Sequence, residues 1–383
     1  MRWLGIVIVC VALCSPWSVR GQSTGVSRNR PDEARMAYSP EKAIDFIERS
    51  VSNWQEKRRC VTCHTNGLHL VAGAQTTPTS NVLVGSQEFT REYLTSFITG
   101  AAKPHGQHGA IEGIVAGASF LAISEMLTDK KLHAETITAL DYIWSKQDPS
   151  GAWEDWLKCH WGPYEVDDHF GVTLATIALA MAPAEYRNSP KAQEAQEKLH
   201  LYLQSHPPTA PHQQAMMLWA ARHAPELAPI EQQQAWIASL RKLQQDDGGW
   251  VLAQLGDAQW QREDGKPHHQ ISDGYATALV VYALRQAGVS KEDSALIDGI
   301  RWLKTNQRQS GRWFTHSPRR DGRHYISQAG TNMALLALHS CGALEVNGLD
   351  ARKREQRTPS SPTLNSSAEQ DRSEQPTPCS EQR

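Results

Sequence analysis

LRKLQQDDGGW, residues 240–250, reads as an aliphatic residue, three others, Gln, three others, Gly, one more residue and Trp. The same order returns in IWSKQDPSGAW (143–153) and LKTNQRQSGRW (303–313). Gln147, Gln244 and Gln307 are therefore followed at constant offsets by Gly151, Gly248 and Gly311 and by Trp153, Trp250 and Trp313. A spacing held three times marks a structural repeat. Each copy closes an amphipathic stretch and precedes, after a loop, a more uniformly apolar one. The amphipathic stretches are 133–146, 229–243 and 291–306; the apolar ones are 167–182, 273–287 and 327–340. A helix apolar on every side has neighbours on every side, so the first set is outer and the second inner. Gly ends the outer helix and permits the turn, Trp packs on the next unit, and Gln bonds exposed backbone ends. Such hairpins cannot bury themselves singly; stacking them in a ring does so.

Other stretches extend the pattern. A degenerate unit without the Gln-to-Trp signature spans 191–204 and 212–222, residues 40–56 form another outer-type helix, 88–99 an extra one, and 108–126 an inner one. Five or six hairpins then fit between residues 40 and 345. The expected architecture is all-α, an α/α toroid over 40–348. Residues 1–21, with Arg2 ahead of an apolar run and small residues near Gly21, read as a signal peptide, and 22–39 as a linker. Residues 349–383 hold almost no apolar side chains and read as a disordered tail. The expected destination is export to the periplasm.

Composition narrows the partners. Lys and Arg number 39 against 41 Asp and Glu, and 40% of residues are apolar, so no charge excess argues for nucleic acid. Beyond residue 21 no run reaches the roughly 20 apolar residues of a membrane span.

The repeated Gln-x3-Gly-x-Trp resembles the repeat of squalene-hopene and oxidosqualene cyclases, shared in weaker form by protein prenyltransferase β subunits. The resemblance covers residues 130–345 well and 40–130 loosely. It implies a helical-hairpin toroid of the terpenoid cyclase and prenyltransferase type. It also gives Glu165-Val166-Asp167-Asp168 a counterpart, since the run looks like the Asp-x-Asp-Asp by which squalene-hopene cyclases protonate an alkene. On that likeness Asp167 is the general acid, with Glu165, Asp168 and His169 beside it. The departures are Glu in first place and a single toroid. The zinc site of the prenyltransferases is not matched in order or spacing by Cys159, Asp168 and His169.

A separate motif is RRCVTCHTNG, residues 58–67. Cys-x-x-Cys-His is the attachment sequence of c-type haem, which makes Cys60 and Cys63 the thioether anchors and His64 the axial iron ligand. A disulfide, a redox dithiol or half a zinc site are the other readings of the pair, and no second Cys-x-x-Cys follows. His69 and Met36 are candidates for the sixth iron ligand. Polar residues also gather where loops enter inner helices: His108, Glu112, Asp167, Asp168, His169, His268, His269, Asp273, His324 and Tyr325 are expected to converge at one end of the ring. Asp167 and Asp273 are equally well placed as helix caps.

The functional expectation is an exported toroid with one covalent haem c, acting in electron transfer with a redox partner protein or in oxidation of an apolar or isoprenoid-like ligand. Two other classes stay open: a non-catalytic lipid- or protein-binding toroid with a structural Cys pair, and a terpene cyclase using Asp167.

Overall fold

The computed structural model describes residues 33–101, 110–154, 156, 158–322 and 325–345. The expected signal peptide, most of the expected linker and the expected tail lie outside them. So do His108 and His324. Among the described residues there are helices and isolated bridges but no strands.

Six outer helices alternate with six inner ones. The outer set is α1 (Pro40–Arg58), α3 (Asn81–Ile98), α5 (Ala134–Ser145), α8 (Pro190–Ser205), α10 (Ile230–Lys242) and α13 (Ser294–Asn306). The inner set is α2 (Asn66–Thr76), α4 (Ala110–Thr128), α6 (His169–Met181), α9 (Pro211–Ala221), α12 (Gly274–Gln286) and α14 (Ile326–Ser340). Short helices α7 (Ala184–Arg187) and α11 (Leu252–Leu255) sit in connections. Each inner helix packs on the next, from α2 through α4, α6, α9 and α12 to α14, and α14 returns to α2. The ring is closed, as an α/α toroid requires.

Two expectations shift within that frame. The first inner helix is α2, which the haem-loop reading of the 60–64 region concealed, and the "extra" helix at 88–99 is the outer member of the second hairpin, α3. Helix α4 is long and apolar enough to cross a membrane by length and composition, yet its apolar window is mostly buried by its neighbours in the ring.

The repeat has one physical explanation in all three copies. Trp153, Trp250 and Trp313 are nearly or fully buried, and each indole N–H donates to the carbonyl of the aliphatic residue ten positions earlier: Ile143 at 2.9 Å, Leu240 at 2.7 Å and Leu303 at 2.7 Å. Each Gln amide bonds across the turn to the carbonyl of its own Gly, at 2.8, 2.9 and 2.8 Å for Gln147, Gln244 and Gln307. Each Gly lies against the backbone of the next outer helix. A Cβ on Gly151 would meet Lys198 O at 2.0 Å, one on Gly248 would meet Asp298 O at 2.8 Å, and one on Gly311 would meet Lys42 O at 2.1 Å. All three glycines also have positive φ, where a side chain is strained.

The last copy closes the ring. Gln307 donates to Ser39 O at 2.8 Å and accepts from Ser39 N at 2.7 Å, so it grips the N-cap of α1 as Gln244 grips Ala295 O in α13 at 2.9 Å. Residues 33–36, within the expected linker, reinforce the seam: Met36 N bonds Gln307 O at 2.9 Å, and Glu33 pairs with the buried Arg312 at 2.7 Å.

Candidate functional site

Because every inner helix follows an outer one, all six run the same way and present their N-termini at one mouth of the ring. Three of the connections that lead into them, 146–168, 243–273 and 307–325, are much longer than the returns to outer helices. Polar chemistry therefore collects at that mouth.

Between the starts of α6 and α9 lies a small cleft, partly open to solvent and lined among others by Asp167, His169, Phe170, His212, Gln213, Asp257 and Trp260. Asp167 is fixed from two sides: its Oδ1 accepts from His169 N at 2.9 Å and its Oδ2 from the Gln213 amide at 2.7 Å. Gln213 is itself held, its Oε1 accepting from Thr209 N at 2.8 Å and Ala210 N at 3.1 Å, so its amide has one direction left to point. Burial pushes the Asp167 carboxyl above its ordinary value against the pull of the His169 N–H, and the charges of Asp168 and Asp257 push it further. Behind it the rings of Tyr164, Phe170, His212 and Tyr275 pack edge to face and in stacks, with Tyr164 and Phe170 centroids 4.8 Å apart and His212 Nε2 2.9 Å from the Tyr275 hydroxyl. Burial lowers His169 to about 4 and His212 to about 3, so both are neutral at pH 7.

The remaining expected site residues do not join this cleft. Glu165 turns away from Asp167: the Cys159 thiol donates to its Oε2 at 3.8 Å, and burial raises it to about 7. Asp168 pairs with Lys158 at 3.3 Å. The three acids of the cyclase-like run thus point to three partners, which removes the joint acid site that terpene cyclisation needs. Glu112 is buried on α4, and its charge reaches the Cys63 thiol. Asp273 is the cap reading fulfilled: one oxygen accepts from Ala276 N at 3.0 Å and the Thr315 hydroxyl at 3.1 Å, the other from Leu252 N at 2.6 Å. His268 and His269 line a second small cleft with His316, whose ring stacks on His269 at 3.6 Å. Among the described residues, the expected convergence into one cavity is not seen: Asp167 and His169 line one cleft, and His268, His269 and Asp273 line another.

Cys60, Cys63 and His64 occupy the turn between α1 and α2. Neither cysteine is in a disulfide, which corrects the structural-pair reading. Cys60 packs with Trp54, Tyr93 and Tyr325, whereas Cys63 belongs to the main core of the toroid. The half-buried His64 ring lies flat on Tyr325, centroids 5.0 Å apart at 10°, with Trp54 edge-on at 5.0 Å, its Nδ1 2.7 Å from the Thr65 hydroxyl, and burial lowers it to about 3. The two thiols thus lie in different clusters, and Tyr325 and Trp54 pack on the His64 ring. Of the sixth-ligand candidates, His69 is buried within α2 and Met36 is engaged by backbone at the ring seam. Among the described residues no group of three or more His, Cys, Asp or Glu side chains could hold a metal ion.

Sequence reasoning missed Asp257, Trp260, His212 and Gln213. His212 and Gln213 follow Pro211 at an inner-helix start, the same place that drew attention to His169, but the unit lacks the repeat signature. Asp257 and Trp260 lie in a long connection with no periodicity to read.

No family model and no curated protein matches the sequence. Similar solved structures share the fold. A glycosidase variant in complex with glucose aligns with a TM-score of 0.52 at 12% identity over 80% of this chain and 98% of its own, and another glycosidase variant with 0.51 at 11% over the same shares. A possible member of the GH105 family from Klebsiella pneumoniae subsp. pneumoniae MGH 78578 aligns with 0.50 at 15% over 81% and 95%. These likenesses correct the expected kinship with squalene cyclases and prenyltransferases, and with it the haem-bearing redox, lipid-binding and terpene-cyclising functions. The repeated turn reports how Gln, Gly and Trp pack hairpins into a ring, which is compatible with several chemistries. The chain has the α/α-toroid fold found in glycosidases.

Proposed function

We propose that the protein is a carbohydrate-active enzyme that hydrolyses a glycosidic bond in the cleft between α6 and α9. The observation that carries this is the arrangement around Asp167: a carboxyl in an open cleft at the mouth of a glycosidase-like toroid, held at both oxygens, with a second carboxylate, Asp257, and the aromatic Trp260 in the same walls. Glycosidic hydrolysis needs an acid that keeps its proton near neutrality and a second carboxylate to take one.

Asp167 donates its proton to the glycosidic oxygen as the bond to the anomeric carbon breaks. Water adds its oxygen to that carbon and yields a proton to Asp257, which returns the pair to its starting protonation once solvent exchanges protons with both. Burial supports the donor role by favouring the neutral carboxyl. Gln213 keeps Asp167 facing the cleft, and the neutral His169 and His212 add no positive charge that would draw the proton off. A screen of 4-nitrophenyl glycosides and plant and microbial oligosaccharides, read by released nitrophenol and reducing ends, tests the proposal. The expected result is turnover that falls about 1,000-fold in Asp167→Asn, some 4 kcal/mol of barrier. No turnover on any glycoside, or full turnover by that variant, overturns it.

A further inference from the structure

We infer that the sugar bound in this cleft carries no carboxylate: the substrate residue is a neutral or amino sugar, and uronic acids are excluded. The inference rests on the glycosidase reading of the same site and adds what that reading leaves open. Among the described residues lining the cleft, the acidic side chains are Asp167 and Asp257, and neither lysine nor arginine lines it. The nearby cation that acts on Asp167, Lys158, is engaged by Asp168 at 3.3 Å.

The neutral polar groups point the same way. His169 is 2% exposed, and its Nε2 has no hydrogen-bond partner although the residue lines the cleft. The Thr173 hydroxyl donates its single hydrogen to His169 O at 2.7 Å, so at 3.2 Å its lone pair faces His169 Nδ1 and takes the proton there. That assignment leaves Nε2 a bare lone pair. The Asp257 carboxylate and an unfilled imidazole acceptor make walls that want donors: sugar hydroxyls or a protonated amine. With Asp167 holding its proton as the general acid, a uronate in the same place would set a second negative charge beside Asp257 without a cation to balance it.

The test compares matched pairs that differ only at C6: 4-nitrophenyl glucosides against glucuronides and galactosides against galacturonides, in both anomeric forms, with glucosaminides added. The expected result is kcat/KM at least about 100-fold higher for the neutral or amino member, as like-charge placement in a partly buried site costs. Asp257→Asn should narrow that ratio, whatever it does to kcat. Equal or preferred turnover of uronides overturns the inference while leaving the hydrolase reading intact. If no glycoside turns over, calorimetry with methyl glucoside, glucosamine and glucuronate decides: binding of the first two alone supports the inference, and binding of glucuronate, or of none, overturns it.

Discussion

Each long connection at the mouth has two halves that behave differently. The first halves, 147–153, 244–250 and 307–313, repeat the same bonds: indole to carbonyl ten residues back, amide across the turn, glycine against the next outer helix. The second halves, 154–168, 251–273 and 314–325, differ in length, and their described residues share no bond pattern. One supplies Asp167, another Asp257 and Trp260, the third His316. Repetition therefore tracks the requirement of closing a ring, which is the same at every hairpin, and variation tracks what fills and opens its mouth. A toroid whose first halves hold the scaffold leaves its second halves to carry chemistry.

Substitutions in the first halves should cost the most. Trp313→Ala removes a fully buried indole and orphans its packing against the inner helices, for a loss of about 4 kcal/mol in denaturant unfolding. Trp161→Ala, in a second half where the half-buried ring lies under the Arg319 guanidinium at 4.6 Å, should cost far less, and equal losses would break the distinction. Next comes Gly311→Ala, where a Cβ meets the Lys42 carbonyl and φ is +95°; about 3 kcal/mol is expected, read as a lower unfolding midpoint. The copies should also rank. Gln307 spans the ring seam with two bonds to Ser39, while the Oε1 of Gln147 is buried without a partner. Gln307→Ala should lose about 2 kcal/mol and Gln147→Ala about 1 kcal/mol, and a reversed order would show that the seam is not held there.

The smallest effect concerns Glu165 in a second half. Its folded value of about 7 lies above its ordinary 4.5, so between those pH values the folded chain holds a proton that the unfolded chain has released. Stability from this group therefore falls as pH rises from 4.5 to 7. Glu165→Gln should flatten that slope and gain about 1 kcal/mol at pH 8, since part of the site is reached by solvent. A loss at pH 8 would mean the carboxylate is needed by the fold.

The same division explains what the sequence discloses. Ring closure is legible because it is written three times at fixed spacing, so Gln307, Gly311 and Trp313 identify one another before any coordinates. Asp167 stands out because it opens an inner helix within an acidic run, although the chemistry drawn from that run was that of a different toroid. Cys60, Cys63 and His64 satisfy a spacing rule that says nothing of how Tyr325, about 260 positions further along the chain, stacks on the imidazole, a contact invisible to a local motif. Asp257, Trp260 and Gln213 are placed by loop packing alone. No periodicity leads to them.

The most direct test places both halves of the argument on one variant. In Asp167→Asn, thermal unfolding and glycoside hydrolysis are followed on the same preparation. The account predicts a melting temperature within about 2 °C of the parent, a shift expected for well under 1 kcal/mol, with hydrolysis lost. A melting temperature lowered by 5 °C or more with hydrolysis retained would contradict it, and would place Asp167 among the residues that only hold the ring together.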